Sequence, residues 1–492
     1  MATLLPLLRQ FFVQKELNPY LVGGIVRDAL LHLNSTDIDL TVDGNALEVG
    51  KELSRALDAH YVVLDEPNRM VRLLPRSGPA WQIDLTSRYG SIAKDLARRD
   101  YSINAMAIDL TGIEQFDEIQ SFNVLDTQNG VEDINNKTIR AISSDIFHHD
   151  PIRLLRGIRI SYELGFSLEN TTKTLMLRDH ELITECAPER IREELLRIFD
   201  GTNTFEAVGT LKETGILSAL IPELSPTYGL EQPSEHTWDV FLHSAHSIST
   251  LDYILRFSEW SFQQADILQN IPWDNSIKEY FEKTISPPST RRILTKIAAL
   301  LHDIGKPHTR LVNEGKIRFY GHPQEGAKTV LSVLERLRFS HSECKFVETI
   351  VREHLRPVQM STENTSLTKK AVYRFKRDLE QTGIATLYFS LADHLATCGP
   401  NLEVNNWNWH VSIVRQLIDE YSKDTSNPIS TKLLDGNTLL NELQLKPCKL
   451  IGLILEEISE AHADERINSR EEALDFAREL LRVKYQNKTN AE

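Results

Sequence analysis

The sequence predicts an α+β fold in its N-terminal region, with a small sheet flanked by helices. Three strand-like apolar segments, “YVVLDE”, “VRLLP” and “WQIDLTS”, follow one another within residues 61–87. A helix-like segment, “ALEVGKELSRALDAH”, precedes them, and before it an apolar “LV” runs into a glycine pair. This alternation of strands and helices predicts one sheet, with the acidic residues described below at a strand edge.

Length and composition are those of an ordinary globular protein. The chain has 492 residues, of which 41% are hydrophobic and 25% charged, and its length corresponds to about three domains. No apolar run approaches the roughly 20 residues that span a membrane. The N-terminal “MATLLPLLRQFFVQKEL” is interpreted as an amphipathic helix rather than a signal peptide. The sequence therefore predicts no membrane association.

Charge and cysteine content restrict the partners and the location. The net charge of −15 argues against indiscriminate binding to nucleic acid, because phosphate contacts need local positive charge. It leaves room for a nucleic-acid enzyme whose basic residues lie on one face. Four cysteines without metal or disulfide spacing indicate a reducing cytoplasm. The polar, proline-bearing stretches 224–236 and 422–431 are the best candidates for domain boundaries.

Two carboxylates one residue apart, Asp37 and Asp39, suggest a metal site. Side chains alternate along a strand, so both project to one face while Ile38 and Leu40 point into a core. Like charges this close repel each other, and a cation between them relieves the repulsion. Oxygen ligands of this kind suit Mg²⁺. The alternative is a strand end that carries two solvated acids.

The residues just before this pair suggest a phosphate site. “LVGG” reads as a strand that enters a tight turn at Gly23 and Gly24, and a short helix follows. Backbone amides at such a turn bind phosphate, and Arg27 adds a charged fork. Asp84 in “WQIDL” is a candidate third carboxylate, although a polar residue on one face of a strand is the plainer interpretation.

A third segment, “DLARRDYSINAMAIDL”, carries paired arginines. Arg98 and Arg99 suit a triphosphate, while Asp100 or Asn104 would bond ribose hydroxyls or hold an arginine in place. A surface salt bridge between these residues is the alternative.

A fourth segment, “HHDPIRLLRGIRISYELGF”, predicts a helix that starts at Asp150 and Pro151, with Asp150 as its cap. Arg153, Arg156 and Arg159 recur at every third position, so the helix is expected to have one apolar and one strongly basic face. Simple capping is the alternative role for Asp150.

These segments occur in the order and spacing found in class II tRNA nucleotidyltransferases and bacterial poly(A) polymerases, which this chain resembles. “APERIREELLRIF” follows, as a similar helix does in that family. The resemblance covers most of residues 20–225. It implies a polymerase-β-like nucleotidyltransferase head, with a small mixed sheet and helices, followed by an all-α neck, body and HD-type helical domain.

The resemblance also implies domain limits and site residues. The expected parts are a head at 1–142, a base-reading and RNA-binding helical neck at 143–228, an HD-type domain at 229–425, and a C-terminal helical segment at 426–492 interpreted as a tRNA-binding tail. Asp37 and Asp39 would be catalytic and hold Mg²⁺. The nucleotide-binding residues would be Gly23, Gly24, Arg27, Arg99, Asp100, Asn104, Asp150, Arg153, Arg156 and Arg159.

Base choice by Asp150 and Arg153 has a physical rationale. Cytosine and adenine each offer an exocyclic amine beside a ring-nitrogen acceptor, and this pair supplies one acceptor and one donor. Guanine and uracil present the reverse order and would leave charged groups unpaired. One departure from the family is His149, where the family usually has Glu.

The second half contains “AALLHDIGKPHT”, which resembles the HD phosphohydrolase signature. Imidazoles together with carboxylates bind Mn²⁺, Fe²⁺, Ni²⁺ or Mg²⁺ and activate water for phosphoester hydrolysis. A lone histidine on an apolar helix is usually structural, but several in HD order predict a second divalent metal. The candidate ligands are His243, His302, Asp303, His322, His354 and Asp393.

The sequence as a whole therefore predicts a template-independent RNA nucleotidyltransferase that adds CCA, or the C or A part of it, to tRNA 3′ ends. Its expected partners are the tRNA 3′ end, CTP and ATP, with Mg²⁺ as cofactor and no obligate protein partner. A poly(A) polymerase is the close alternative, and an HD phosphohydrolase with an RNA-binding head is the alternative from another class.

Overall fold

A computed structural model describes residues 4–78, 80–88, 90–113, 123–262, 267–360, 367–423, 433–444 and 447–483. The chain divides into two compact units, Met1–Pro222 and Glu223–Glu492. The junction directly precedes the predicted boundary at 224–236, whereas most of the other candidate, 422–431, lies outside the described residues. The finer division into four parts stays a prediction.

The first unit joins a sheet to a group of helices. Its elements are α1 (Leu4–Gln14), β1 (Tyr20–Val22), α2 (Gly24–Leu30), β2 (Asp37–Val42), α3 (Ala46–Ala56), β3 (Ala59–Asp65), β4 (Met70–Pro75), β5 (Gln82–Ser87), α4 (Ile92–Leu96), β6 (Met106–Asp109), β7 (Leu125–Asp126), α5 (Gly130–Asn135), β8 (Thr138–Ile139), α6 (Ile146–His149), α7 (Arg153–Leu164), β9 (Ser167–Leu168), α8 (Asn170–Asp179), α9 (Pro188–Asp200), α10 (Thr204–Glu213) and α11 (Ile216–Leu220).

A mixed, seven-stranded sheet with the order β3-β4-β5-β2-β1-β6-β7 organises the first unit. Strands β2 and β5 are parallel, and the other neighbouring pairs are antiparallel. The predicted α+β class and the mixed sheet of the head are confirmed. Central strand β2 buries Ile38 and Leu40 completely or nearly so, as its alternating pattern predicts. The apolar face of β2 therefore fixes which way its acidic residues point.

Two local predictions about helix limits were wrong. Helix α3 ends at Ala56 rather than near residue 60, because the chain turns at Asp58, with φ 48°, into strand β3. Helix α7 begins at Arg153, and its N-cap is Ile152, without a side-chain cap. Asp150 does not cap it, because its carboxylate is bound by another helix, as described below.

The second unit is largely helical. Its elements are α12 (Val240–Ile254), α13 (Asn275–Glu282), β10 (Thr284–Ser286), β11 (Ser289–Thr290), α14 (Arg291–Leu301), α15 (Lys306–Thr309), β12 (Arg310–Asn313), β13 (Lys316–Phe319), α16 (His322–Arg336), α17 (His341–Glu353), α18 (Arg356–Met360), α19 (Lys369–Leu379), α20 (Gly383–Cys398), α21 (Val404–Lys423), α22 (Gly436–Leu443), α23 (Lys449–Ala463) and α24 (Arg470–Val483).

Within this unit, the last three helices have their own apolar core, formed around Leu439, Ile454 and Ala477. Strands β12 and β13 form a hairpin whose register pairs Arg310 with Phe319. Among the described residues, no helix has both the length and the apolar content that a membrane span needs.

Candidate active site

Strand β2 places the two predicted metal ligands on one face of the sheet. Asp37 is exposed and Asp39 is half-buried, while the intervening Ile38 is buried. In the parallel register of β2 and β5, Asp39 pairs with Asp84. Three carboxylates from two neighbouring strands therefore lie close to one another.

The three acids differ in their surroundings. Asp84 accepts two hydrogen bonds of 2.8 Å from Arg72, which neutralise it. Burial raises the pKa of Asp39, Arg99 opposes that rise, and Asp84 and Asp37 add to it, so that the pKa reaches about 6. A divalent cation beside Asp37 and Asp39 would offset the burial of the Asp39 charge and the repulsion between the carboxylates. These two residues therefore suit a metal site.

Gly23 forms the turn that brings strand β1 next to the acids. Its φ of 76° is in the left-handed region, and a Cβ there would lie 2.9 Å from Oδ2 of Asp39 and 3.0 Å from Nη1 of Arg99. Only glycine suits this position. Gly24 then begins helix α2, as the sequence predicts.

A chain of hydrogen bonds connects the predicted nucleotide-binding residues. Arg27 donates to Oδ1 of Asn104 at 2.7 Å, and Asn104 donates to Oδ1 of Asp100 at 3.1 Å. Asp100 also accepts from Arg156 at 3.3 Å. Burial raises the pKa of Asp100, but Arg156 and the hydrogen bonds to the carboxylate outweigh burial. The pKa is therefore below its usual value, and the group is ionised. Arg27 is also bound to Asp28, at 2.6 and 2.9 Å.

The basic face expected on helix α7 is paired rather than open. Arg156 and Arg159 both donate to Glu194 of helix α9, at 3.4 and 2.6 Å. Arg159 is buried and also donates to Glu163 at 2.6 Å. Two of the three predicted arginines therefore bind acids of the same unit.

These residues line one polar cleft of about 630 Å³ in the first unit. Among the predicted site residues, the cleft is lined by Gly23, Gly24, Arg27, Asp37, Asp39, Arg99, Asp100, Asn104, Arg156 and Arg159. Asp84 lines it as well. The other two predicted site residues, Asp150 and Arg153, lie in the described part of the chain but do not line the cleft.

Asp150 and Arg153 lie next to the cleft but have other partners. Asp150 accepts two hydrogen bonds from Arg190, at 3.0 and 2.9 Å. Arg153 donates to the backbone carbonyls of Arg98 and Arg99, at 3.0 and 3.3 Å. Arg190 itself lines the cleft. The predicted base-reading pair is thus held at the edge of the site by neighbouring segments.

Sequence reasoning missed three residues that shape this cleft. Arg190 and Glu194 stand four positions apart in “APERIREELLRIF”, so they lie on the same face of α9. Asp95 is buried and accepts from Arg98 at 2.9 Å and from Arg99 at 3.4 Å. Arg98 and Arg99 follow Asp95 by three and four positions, and this spacing in the sequence could have indicated the ion pairs.

The second unit brings the six predicted HD residues around one cavity of about 250 Å³. They come from the interior of α12 and α20, the ends of α14 and α17, and the start of α16. All six are buried: His243, His302, Asp303, His322, His354 and Asp393.

The distances among these six groups are those of one compact cluster. Nε2 of His243 lies 2.9 Å from Oδ1 of Asp393, and Nε2 of His302 lies 3.1 Å from Oδ2 of Asp303. His322 Nε2 lies 3.4 Å from Asp303 Oδ1. Two triads have ligand atoms within 4.8 Å of one another: His243, His302 and Asp393, and His302, Asp303 and His354.

The orientation of the histidines suits metal ligation. Nδ1 of His302, His322 and His354 each lies within 2.9 Å of a backbone carbonyl three residues earlier. An Nδ1–H that donates there leaves the Nε2 lone pair facing the cluster. His322 Nε2 has no hydrogen-bond partner among the described residues, and Lys306 Nζ lies 2.6 Å from Asp303 Oδ2.

The electrostatics of the cluster also suit a cation. Burial lowers the pKa of His302, but Asp303 and Asp393 outweigh burial and raise it. Burial and the neighbouring His302 and His322 lower the pKa of His354 to about 3. The carboxylates thus attract positive charge to the centre, while His354 stays neutral and available as a ligand.

Comparison with protein families matches three parts of the chain. Residues 19–78 and 76–140 match the “Poly A polymerase head domain”. Residues 165–227 match the “Probable RNA and SrmB- binding site of polymerase A”. Residues 246–398 match the HD domain.

Relatives with curated names match over most of the chain. A CC-adding tRNA nucleotidyltransferase of Thermus thermophilus is 27% identical over 95% of this chain and 94% of its own length. An A-adding tRNA nucleotidyltransferase of Deinococcus radiodurans is 26% identical, over 93% and 94%. A multifunctional CCA protein of Xanthomonas campestris pv. campestris is 30% identical, over 68% and 74%.

Solved structures share the fold. A CCA-adding enzyme of Thermotoga maritima complexed with tRNA matches with a TM-score of 0.57 and 23% identity, over 97% of this chain and 95% of that one. A CCA-adding enzyme in complex with CTP matches with a TM-score of 0.61 and 22% identity, over 98% and 94%.

Proposed function

Because this chain belongs to the family of class II tRNA nucleotidyltransferases and bacterial poly(A) polymerases, we propose that it adds C, A or both to tRNA 3′ ends from CTP and ATP. The observation that carries the proposal is the single cleft in which Asp37 and Asp39 lie beside the Gly23 turn and Arg99. A cytoplasmic location, predicted from the cysteine pattern, is part of the same proposal.

Heads of the polymerase-β class use divalent metals, and the carboxylates of Asp37 and Asp39 are the residues that would hold Mg²⁺ here. When bound, the metal lowers the pKa of the RNA 3′-hydroxyl and neutralises the triphosphate. The raised pKa of Asp39 supports this assignment, since burial and its acidic neighbours leave it in need of a cation. Asp84, held by Arg72, is a weaker candidate, because its charge is already paired.

The chain itself would bind and orient the nucleotide. The turn at Gly23 and Gly24 and the guanidinium groups of Arg27 and Arg99 face the same cleft, so they would bind the triphosphate. Asp100 and Asn104, joined by a hydrogen bond, would hold the ribose hydroxyls. Binding in this way aligns the α-phosphorus with the 3′-hydroxyl and reduces the entropy cost of the reaction.

Base choice would fall to Asp150, as acceptor, and Arg153, as donor. Arg156 and Arg159 support the site through Glu194, which both of them contact. Arg190 has a supporting role as well, because it orients the Asp150 carboxylate. His149 contacts Asp145 at 3.1 Å, so the residue that replaces the family's Glu stays on its own helix, α6.

The test is nucleotide incorporation on defined tRNA ends. Purified chain is incubated with Mg²⁺, one labelled NTP at a time, and tRNA that ends at the discriminator base, at C or at CC. We expect incorporation of CTP, ATP or both, with termination at the mature end, and none by Asp37→Ala or Asp39→Ala. Long A tails on an RNA other than tRNA would instead establish a poly(A) polymerase.

A second function is supported by the HD cluster. We propose that the six buried ligands hold a divalent transition metal and that this centre hydrolyses phosphoesters. Three histidines oriented by backbone carbonyls, together with Asp303 and Asp393, form a donor set that suits Mn²⁺, Fe²⁺ or Ni²⁺. When bound, such a metal activates water at neutral pH.

Metal content and hydrolysis test this second function separately from the first. We expect the purified chain to retain Mn²⁺ or Ni²⁺ after gel filtration, measured by mass spectrometry of the elements. Asp303→Ala should lose the metal and the phosphoesterase activity and keep nucleotide incorporation. A wild-type chain that retains no metal and hydrolyses no phosphoester would reduce the HD cluster to a structural role.

A further inference from the structure

The last three helices, α22 to α24, form a C-terminal module with its own apolar core. The buried and partly buried apolar side chains of this core all come from residues 433–481. Within the described part of the chain, no apolar residue of helix α19 belongs to it, although α23 packs against α19. Burial of apolar surface therefore holds the module together, whereas other contacts hold the module on α19.

Helix α19 presents a stripe of positive charge to this module. Five of its eleven residues are Lys or Arg. Lys370, Arg374 and Arg377, which we call the basic stripe, are spaced by four and three positions, so they lie on one face of the helix. Basic residues clustered on one helix face are typical of a surface that binds nucleic acid. Such a surface is compatible with the net charge of −15, because phosphate contacts depend on local charge.

Helix α23 covers the basic stripe with acids at a matching spacing. The Glu460 carboxylate lies 2.9 Å from Nζ of Lys370 and accepts a hydrogen bond of 2.6 Å from Arg374. Glu456, one turn earlier on the same face of α23, lies 2.6 Å from Nη1 of Arg377. The carboxylate oxygens of α23 thus take the place that phosphate oxygens would take on this stripe.

The contact between these helices is polar and partly open to water. A cleft of about 410 Å³ is lined by residues of α18, α19 and α23, among them both arginines of the stripe and both acids. The side chain of Arg374 is 45% exposed and that of Arg377 is 31% exposed. Ion pairs that water reaches contribute little to stability, and dissolved salt screens them. The contacts that hold the module on α19 are therefore ones that another polyanion can replace.

We propose that the basic stripe of α19 is a binding surface for the phosphate backbone of RNA, and that the acidic face of α23 covers this surface until RNA displaces it. The partner is RNA because the inference rests on the proposed addition of nucleotides to RNA ends. Release requires no covalent step, since phosphate oxygens replace carboxylate oxygens on the same cations. In the docked state, α23 therefore limits RNA binding instead of supplying it.

Equilibrium binding of a tRNA transcript to the full chain, without NTPs, tests the inference. Glu456→Gln/Glu460→Gln removes the competing charges, and the affinity for tRNA should rise about 5- to 50-fold. The slope of log affinity against log salt should become steeper by about 2 to 3, because three further cations meet phosphate. Addition of Arg374→Gln and Arg377→Gln to this variant should abolish most of both changes.

Two controls separate the basic stripe from a general effect of charge. Glu471→Gln/Glu479→Gln removes the same amount of negative charge from exposed positions on α24, and should leave affinity and salt slope nearly unchanged. Arg374→Gln/Arg377→Gln in the otherwise wild-type chain should weaken tRNA binding much less than it does in the variant without the acids, because α23 already covers these arginines. An equal gain in the α24 control, or a gain that persists without the arginines, would overturn the inference.

Hydrogen exchange of the wild-type chain tests the same inference without any substitution. With saturating tRNA, amides of α23 should exchange faster, because it leaves α19, and amides of α19 should exchange more slowly. Protection of both helices by tRNA, or no change in either, would overturn the inference. These binding measurements are independent of catalysis. If the chain incorporates no nucleotide but shows this pattern, the proposed enzyme activity fails and the RNA surface stands, whereas incorporation without the pattern has the opposite meaning.

Discussion

Arg190 binds both carboxylate oxygens of Asp150, at 3.0 and 2.9 Å. The two residues come from different parts of the first unit, and the bidentate geometry fixes the plane of the carboxylate. A carboxylate has about four lone-pair positions, so Asp150 keeps acceptor capacity for the amine of a base while Arg190 holds it. Arg190 is thus a positioning residue for the proposed base choice.

Replacement of Arg153 tests that choice. Arg153→Ala removes the proposed donor to the ring nitrogen of cytosine or adenine. A hydrogen bond to a charged group contributes about 1.5–3 kcal/mol, so kcat/KM for CTP and ATP should fall about 10- to 150-fold. For UTP and GTP, kcat/KM should fall far less, so the preference for CTP and ATP over UTP and GTP should shrink. The measurement is kcat/KM for all four NTPs on one tRNA.

The structure supplies the competing outcome for the same variant. Arg153 also donates to the carbonyls of Arg98 and Arg99, so it holds the segment that carries Arg99, the arginine proposed to bind the triphosphate. If that is its sole role, kcat/KM falls equally for all four NTPs, and the base-reading role of Arg153 is wrong.

The turn at Gly23 should tolerate no side chain. In Gly23→Ala, the new Cβ meets Asp39 Oδ2 at 2.9 Å on a backbone with φ 76°. Displacement of the carboxylate should lower kcat/KM up to about 100-fold. Gly209→Ala is the control, because nothing lies within 4 Å of its Cβ in helix α10. It should keep full activity, and equal losses in the two variants would exclude the steric explanation.

Asp95 should act on nucleotide affinity through the paired arginines. Asp95→Asn weakens the contacts to Arg98 and Arg99. We expect KM for CTP and ATP to rise about 5- to 30-fold, which corresponds to about 1–2 kcal/mol, with a smaller change in kcat. Lys94→Ala, exposed on the same helix, is the control. A lower melting temperature with unchanged KM would show that Asp95 is structural only.

Glu460 should make the packing of helix α23 depend on pH. Burial raises its pKa, but hydrogen bonds from Arg374 and Lys370 of α19 outweigh burial and lower the pKa to about 2. An acid whose pKa is lowered by folding stabilises the fold at pH values above its unfolded pKa, here 4.5. This stabilisation is lost as the pH falls toward 2. Because the basic partners are partly exposed, the contribution is roughly 1–3 kcal/mol.

The measurement is hydrogen exchange of the α23 amides between pH 2 and pH 7, corrected for the intrinsic exchange rate at each pH. Glu460→Gln should reduce their protection at pH 6–7, and its difference from wild type should shrink below pH 4.5. Glu471→Gln, exposed on α24, is the control and should show neither effect. A difference that stays constant over this range would mean that the charge of Glu460 does not stabilise the helix.

Local pattern predicted much of the active-site framework. Alternation in β2 put Asp37 and Asp39 on one face, and the glycine pair marked the turn into helix α2. Both follow from short-range sterics and from the burial of Ile38 and Leu40. The predicted cap at Asp150 was wrong for the opposite reason. A residue 40 positions away, Arg190, binds its carboxylate, and no local pattern reveals that contact.

The sequence by itself determined which chemical groups this protein has and the local backbone that carries them: the Asp37–Asp39 strand, the glycine turn, and the HD pair at a helix end. The tertiary structure alone decided which of those groups share a site and which are already paired. It opposed Arg156 and Arg159 with Glu194, and it gathered the six predicted HD residues around one cavity. The physical reason is range. Propensity and periodicity act over a few residues, whereas ion pairing and burial depend on contacts between segments far apart in the chain.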